Sequence, residues 1–257
     1  MITVKVNDNC GTIILDRPQA CNALSRQMIT DLQQALEDLR QEKRVRGIVL
    51  CGSGPHFCAG LDVKELHETS ASNTAMQEWF SYTQALQNVL EQMLQCPKPL
   101  VAAVDGKALG SGIAVVLACD LVVASHRATF SVPSTRLGLV SGLVVPLLSF
   151  RAGGSIASRI LIGGDELSAS EARDFGFVHH VVDSDQVWVR ASNWVDTISE
   201  SAAEAVQLTK KVLNEMVGEN LSTMLSGGAA ATATSMTTEA ATEGLAAFKE
   251  KREPSFP

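Results

Sequence analysis

The feature that most constrains this chain is a unit that occurs twice: an apolar strand, a glycine-bearing turn, then the start of a helix. The first copy is Gly47-Ile48-Val49-Leu50-Cys51, the turn Gly52-Ser53-Gly54-Pro55, and Phe57-Cys58-Ala59-Gly60-Leu61-Asp62-Val63-Lys64-Glu65-Leu66. The second is Leu100-Val101-Ala102-Ala103-Val104, then Asp105-Gly106-Lys107-Ala108-Leu109-Gly110-Ser111-Gly112, then a short apolar helix from Ile113 to Ala118. Short apolar runs bounded by turn signals read as buried strands. Gly60 lets the backbone come close to a ligand, because it has no side chain to hold one off. The N–H groups that follow have no intrahelical partner and can donate to an incoming oxygen. Asp62 and Glu65 carry charge that suits a helix start. Two such turns in one domain can aim two backbone donors at one point.

The totals narrow the class. A chain of 257 residues can bury one large core, or one core plus a helical appendage. With 46% hydrophobic and 19% charged residues it has globular composition. A net charge of -7, with no run of Lys or Arg, argues against a nucleic-acid partner. Cys10, Cys21, Cys51, Cys58, Cys96 and Cys119 are scattered and form no C-x-x-C pair, which predicts reduced, mostly buried thiols. Met1 to Val6 alternates like a strand and lacks a signal-peptide core. No apolar run reaches the ~18 residues of a membrane span. The expectation is a soluble, cytoplasmic protein with no membrane partner.

Taken in order, residues 2–6 and 12–16 predict a hairpin with Asn7 to Gly11 as its turn. A helix follows from Ser25 to about Arg40, with Leu24, Met28, Leu32, Ala35, Leu36 and Leu39 on one face. Residues 67–75 read as polar and irregular. The next helix, 76–95, is amphipathic through Met76, Trp79, Phe80, Ala85, Leu86, Val89, Leu90 and Met93, and Pro97-Lys98-Pro99 ends it. Leu121 to Ala124 is a further strand. From Ser134 onward the character becomes helical, and Ser168–Glu171 and Ser201–Glu204 both have capping-box spacing. Residues 222–243, rich in Ser, Thr, Ala and Gly, read as a tightly packed helix of small residues, and Phe248 to Phe256 as a basic tail. His179 and His180 read as a strand with one ring packed.

Several chemistries are excluded. There is no G-x-S-x-G elbow, no Walker A sequence and no His/Cys metal spacing. Gly110-Ser111-Gly112 could begin a dinucleotide fingerprint, but Val115 stands at the third glycine position. The paired glycine turns remain. Backbone donors at two helix starts suit negative charge developing on a carbonyl oxygen, and one such donor is worth about 10²–10³ in rate. Thioesters, whose carbonyl becomes enolate-like when the neighbouring carbon reacts, are the natural substrates.

The chain resembles the crotonase family, the enoyl-CoA hydratase/isomerase superfamily, over nearly its whole length. The resemblance is carried by Arg17-Pro18 with Asn22-Ala23-Leu24, by Phe57 to Glu65, by Lys98 to Gly106 and by Ala108 to Gly112. It continues through Cys119-Asp120, Phe130-Ser131-Val132-Pro133, Leu137-Gly138-Leu139 and Glu243 to Arg252. It implies an α/β fold, a spiral of ββα repeats over 1–195 followed by a C-terminal helical trimerisation region, 196–257, assembled as a homotrimer or a dimer of trimers. It implies that the N–H groups of Leu61 and Ser111 form an oxyanion hole for an acyl-CoA thioester. Gln19, Ala20, Ala59, Asp62, Val63 and Lys64, with Phe248 and Lys251, would bind the CoA, which enters as part of the substrate. No further cofactor and no metal is implied.

The departures from the family pattern bear on the reaction. A typical hydratase has two glutamates that position and activate water; by alignment through the flanking motifs these positions hold Ala114 and Ser134. Neither residue can act as a carboxylate base, and a positioned acid or base contributes about 10²–10⁴. Asp62, Glu65, His67, Glu68, Glu78 and Tyr82 are the replacement candidates, since residues 62–82 could border the pocket. Gly142-Leu143-Val144-Val145-Pro146, where the family is small and glycine-rich, is expected to make the acyl pocket more apolar. The implied function is enolate stabilisation in a non-standard lyase, isomerase or decarboxylase reaction. An ordinary hydratase, a polyketide β-branching dehydratase and a catalytically silent acyl-CoA binder are the alternatives.

Overall fold

The computed structural model describes residues 1–256, without the side chains of residues 215–219. Its main sheet runs β1 (Ile2–Asn7), β2 (Cys10–Leu15), β3 (Gly47–Gly52), β4 (Leu100–Val104), then β6 (Leu121–Ser125) and β9 (His180–Val182). Only β1 and β2 pair antiparallel; every later neighbour is parallel. The hairpin turn is tighter than expected. Asn7 pairs with Cys10, so Asp8-Asn9 alone make the turn, with Asp8 at φ 50°, and Cys10 and Gly11 belong to the strand. A second sheet holds β5 (Lys107–Leu109), β7 (Thr129–Ser131) and β8 (Leu167–Ser168).

The two sheets explain the repeated unit. What the sequence alone reads as a glycine turn contains a short strand of the second sheet. After β4 the chain crosses to β5 and enters helix α4; after β6 it crosses to β7. After β3 the crossing is a single bridge, Cys58 against Ala108. Each repeat is therefore strand, short strand, helix, and successive repeats stack side by side in a spiral.

The helices are α1 (Arg26–Gln41), α2 (Val63–Thr69), α3 (Ala75–Gln95), α4 (Ser111–Ala118), α5 (Val144–Ala152), α6 (Gly154–Leu161), α7 (Ala169–Asp174), α8 (Val187–Ser199), α9 (Ala203–Ser235) and α10 (Glu239–Glu250). Ser25 caps α1 by accepting from Met28 N, and the expected face of that helix is buried. Residues 67–69, expected to be irregular, complete α2. In α3 the expected Trp79, Leu86, Val89, Leu90 and Met93 are buried together with Tyr82 and Leu94, whereas Met76 and Phe80 are exposed near the first turn. Helix α4 is apolar all round and entirely buried past Ser111, as befits a helix between layers.

Of the two capping-box spacings only Ser168–Glu171 forms the box; α9 starts at Ala203 behind Ala202, without a side-chain cap. The small-residue helix expected over 222–243 is interrupted at 236–238, where α9 ends and Thr238 caps α10. The expected tail is partly helix, and Arg252 folds back onto Glu243 at 2.5 Å. Helix α9 lies along α3, joined by Gln87 Nε2 to Ser226 Oγ at 2.8 Å and Thr83 Oγ1 to the Ala229 carbonyl at 3.2 Å.

His180 opens β9, and His179 just before it is packed edge-on against Trp194. His179 Nδ1 accepts from Val122 N at 3.0 Å, a bond that requires the neutral ring. Burial holds its pKa below the ordinary histidine value, and Arg151 pushes the same way. Such a group binds fewer protons folded than unfolded. Its contribution is full above the unfolded value of about 6.5 and is lost as pH falls through that value toward the folded one. His179→Asn, whose amide oxygen can replace Nδ1 as acceptor, is expected to lose less stability on acidification than the wild type. Urea denaturation at about pH 7.5 and about pH 5.5 measures this; equal losses would remove His179 as the cause.

Candidate active site

The two glycine turns meet. Gly60 has φ +85°, and a Cβ placed on it would lie 2.8 Å from the Leu109 carbonyl oxygen and 3.0 Å from Ser111 N. Only a residue without a side chain lets the backbone of one turn approach the other this closely. Further in, Leu109 N donates to the Cys58 carbonyl at 2.8 Å, and a Cβ on Gly112 would stand 2.5 Å from that same oxygen. Gly110, at φ 50°, donates its N–H to Ser131 O at 2.9 Å and so orients the first turn of α4.

Leu61 sits opposite Leu24 in a parallel bridge, in which Leu24 N donates to Gly60 O at 2.7 Å and Asp62 N to Leu24 O at 3.3 Å. That pattern uses the groups on either side of Leu61 and leaves its own N–H on the opposite side. Ser111 is the first residue of α4, so its N–H lies among the donors without an intrahelical partner. Both residues line a cavity of about 430 Å³.

The lining is largely apolar: Leu61, Val63, Leu66, Leu109, Leu137, Leu139, Val140, Leu143, Met236 and Phe248. Ala20, Ala59, Asp62, Val63, Lys64 and Phe248 all line it. Gln19 is exposed on the 3-10 turn 18–20, and Lys251 is exposed in the left-handed cap of α10, at φ 55°. Neither of these two borders the cavity. Ser134 lines it, whereas Ala114 is fully buried within α4 and does not reach the wall. Of the apolar stretch 142–146 only Leu143 faces the cavity; Val144 and Pro146 are buried in α5 and Val145 is exposed.

The replacement acid/base candidates are occupied elsewhere. The Asp62 carboxylate caps α2, accepting from Lys64 N at 3.0 Å, and takes Arg17 at 2.5 Å on its other oxygen. Tyr82 donates its hydroxyl to the Leu24 carbonyl and accepts from Asp62 N at 3.2 Å; burial raises its pKa, and Glu65 and Asp62 oppose its ionisation. Tyr82 thus braces the bridge at Leu61. Glu65 accepts from Arg26 N at 3.0 Å, Glu78 from Ser72 and Thr74, and Glu68 lies 3.8 Å from Lys64. His67 contacts Lys249 at 3.2 Å, at the rim of α2 and α10. His56 accepts weakly from Lys107 N at 3.4 Å, behind the turn. Among these candidates only Asp62 borders the cavity.

The roles of two residues escape sequence reading. Asn22, fully buried at φ 55°, accepts from Arg17 N and donates to the carbonyls of Ser53 and His56, which ties the loop 17–24 to the turn 52–56. Ser141 lines the cavity and donates to Ser134 Oγ at 2.5 Å. Nothing in the run Ser141 to Pro146 distinguishes that hydroxyl before folding brings it to Ser134. The six cysteines are free: Cys21 is exposed, Cys51 is half-buried, and burial pushes the Cys58 thiol up to about 12. None of the described helices is long and apolar enough to cross a membrane.

The sequence model of a family described as Enoyl-CoA hydratase/isomerase matches residues 5–257. "Probable enoyl-CoA hydratase echA8" of Mycobacterium bovis is 32% identical over 256 residues, covering 99% of this chain and 97% of that protein. "Enoyl-CoA hydratase domain-containing protein 2, mitochondrial" of Homo sapiens is 32% identical over 251 residues, covering 95% and 84%. Among solved structures, an enoyl-CoA hydratase/isomerase from Pseudoalteromonas atlantica T6c superposes with a TM-score of 0.86 at 27% identity, covering 100% of this chain and 99% of that one.

Proposed function

The chain belongs to the enoyl-CoA hydratase/isomerase family, and we propose that it binds an acyl-CoA or acyl-carrier thioester and stabilises its enolate between the N–H groups of Leu61 and Ser111. The observation that carries this reading is the close approach of the two glycine turns at the cavity wall. A carbonyl oxygen that gains charge there gains hydrogen-bond strength with it, in a largely apolar surrounding. The reaction we assign is one that draws on the enolate without the two glutamates of a hydratase, in the lyase, isomerase or decarboxylase classes. Decarboxylation needs no base, because loss of CO2 itself leaves the enolate, whereas isomerisation needs a proton acceptor other than those glutamates. Support comes from Ala114 and Ser134 at the positions where the resemblance implies glutamates, and from the engagement of Asp62, Glu65 and Tyr82 in structural bonds.

Ordinary hydration is the second reading, favoured by the names of the relatives. One experiment separates the two. The protein is incubated with a panel of acyl-CoAs, malonyl types included, in heavy water and followed by mass spectrometry. Our reading expects α-exchange, decarboxylation or isomerisation of some thioester, with crotonyl-CoA hydration near background. Rapid hydration of crotonyl-CoA would overturn it in favour of the hydratase.

A further inference from the structure

Among the described residues, the polar side chains that line the cavity are Cys21, Asp62, Lys64, Ser111, Ser134, Ser141 and Thr232. Ser111 lies at the oxyanion turn itself, and Lys64 lies 3.8 Å from Glu68. Asp62 is held by Arg17 and its own helix start. Thr232 accepts from Gly142 N at 3.0 Å and donates to Gly228 O at 2.8 Å. Ser141 spends its hydrogen on Ser134 Oγ at 2.5 Å. A hydroxyl carries one hydrogen, so Ser134, having accepted from Ser141, must donate in another direction. No described residue accepts that hydrogen. Ser134 Oγ stands 3.9 Å from the position of a Cβ on Gly110, the residue directly before Ser111. A carbonyl oxygen about 2.9 Å from the Ser111 N–H would place the first acyl carbons beyond the thioester beside this hydroxyl.

We propose that Ser134 donates to an oxygen on C3 of the acyl group, so that the preferred ligands are 3-hydroxyacyl, 3-oxoacyl or malonyl-type thioesters rather than unsubstituted ones. The inference rests on the thioester reading above. Ser141 is the positioning residue: by donating to Ser134 it fixes which hydroxyl hydrogen faces the ligand and polarises it. In a wall that is largely apolar, a saturated acyl chain leaves this donor unpaired, which disfavours it relative to an oxygenated one.

Calorimetric titration of the full chain with butyryl-, 3-hydroxybutyryl-, acetoacetyl- and malonyl-CoA tests this. The wild type is expected to bind at least one oxygenated thioester about ten-fold more tightly than butyryl-CoA. That ratio should fall to near one in Ser134→Ala, fall part of the way in Ser141→Ala, and recover in Ser134→Thr, which keeps the hydroxyl. Equal affinities in the wild type, or a preference that Ser134→Ala leaves intact, overturn the inference alone. Failure to bind any of the four thioesters overturns the thioester reading and this inference together.

Discussion

Gly60→Ala is expected to lower turnover of whichever thioester the protein consumes by about 10²–10³-fold, the effect of losing one backbone donor to an oxyanion. The physical cause is contact, not chemistry. The added methyl would stand 2.8 Å from Leu109 O and 3.0 Å from Ser111 N, both backbone atoms that cannot rotate away. Either the turn bearing Leu61 or the one bearing Ser111 must retreat, and two donors that no longer converge cannot share one oxygen. Alanine at φ +85° adds strain of its own, about 1–2 kcal/mol, so a fall in thermal stability should accompany the loss. Steady-state kinetics beside a melting curve separates the two effects. A variant with full turnover would show that the two turns need not touch for the reaction.

The adjacent glycines of α9 are expected to respond in opposite directions. Gly228 packs on Gly142: a Cβ on Gly228 would lie 2.1 Å from Gly142 O, and one on Gly142 would lie 2.0 Å from Gly228 O. Overpacking against a side chain costs about 1–3 kcal/mol. Here both obstacles are backbone, so Gly228→Ala should reach the top of that range and lower Tm by roughly 10 °C. Gly227 is exposed, with nothing within 4 Å of its would-be methyl. Gly227→Ala should therefore stabilise the helix by about 0.5–1 kcal/mol. Paired thermal melts measure both, and a shift of the same sign in the two variants would refute the packing. The damage at Gly228 should also reach the cavity. The displaced segment carries Ser141, and Thr232 one turn along α9 holds Gly142 N. The preference for oxygenated thioesters should weaken with the stability.

Much of the architecture was legible before folding because it depends on local periodicity. The apolar runs of β3, β4 and β6, the stripe of α1 with its Ser25 cap, and the Ser168–Glu171 box are one-dimensional patterns, and the structure realises them at nearly the expected residues. Where local reading failed, the deciding term was not local. β5 is three residues long, and its partners, β7 and the bridge at Cys58, lie far from it in sequence. Met76 and Phe80 fit the apolar pattern of α3 but fall where no neighbour covers them. Ser201–Glu204 has the spacing of a cap, yet the N-cap of α9 falls one residue later, on Ala202.

By itself the sequence determined the family, the repeated strand-to-helix units and the pair of turns at Gly60 and Gly110, because those depend on residue types at short spacings. Only the tertiary structure decided which polar groups remain available at the cavity. Asp62, Glu65 and Tyr82 look like acids and bases in the sequence but are engaged by Arg17, Arg26 and Leu24. Ser141 looks like a polar start to an apolar run and meets Ser134 instead. Whether a side chain has a hydrogen bond to spare depends on which partners the fold brings within about 3 Å, and that is settled by long-range packing, here of α9 and α10 against residues 134–143.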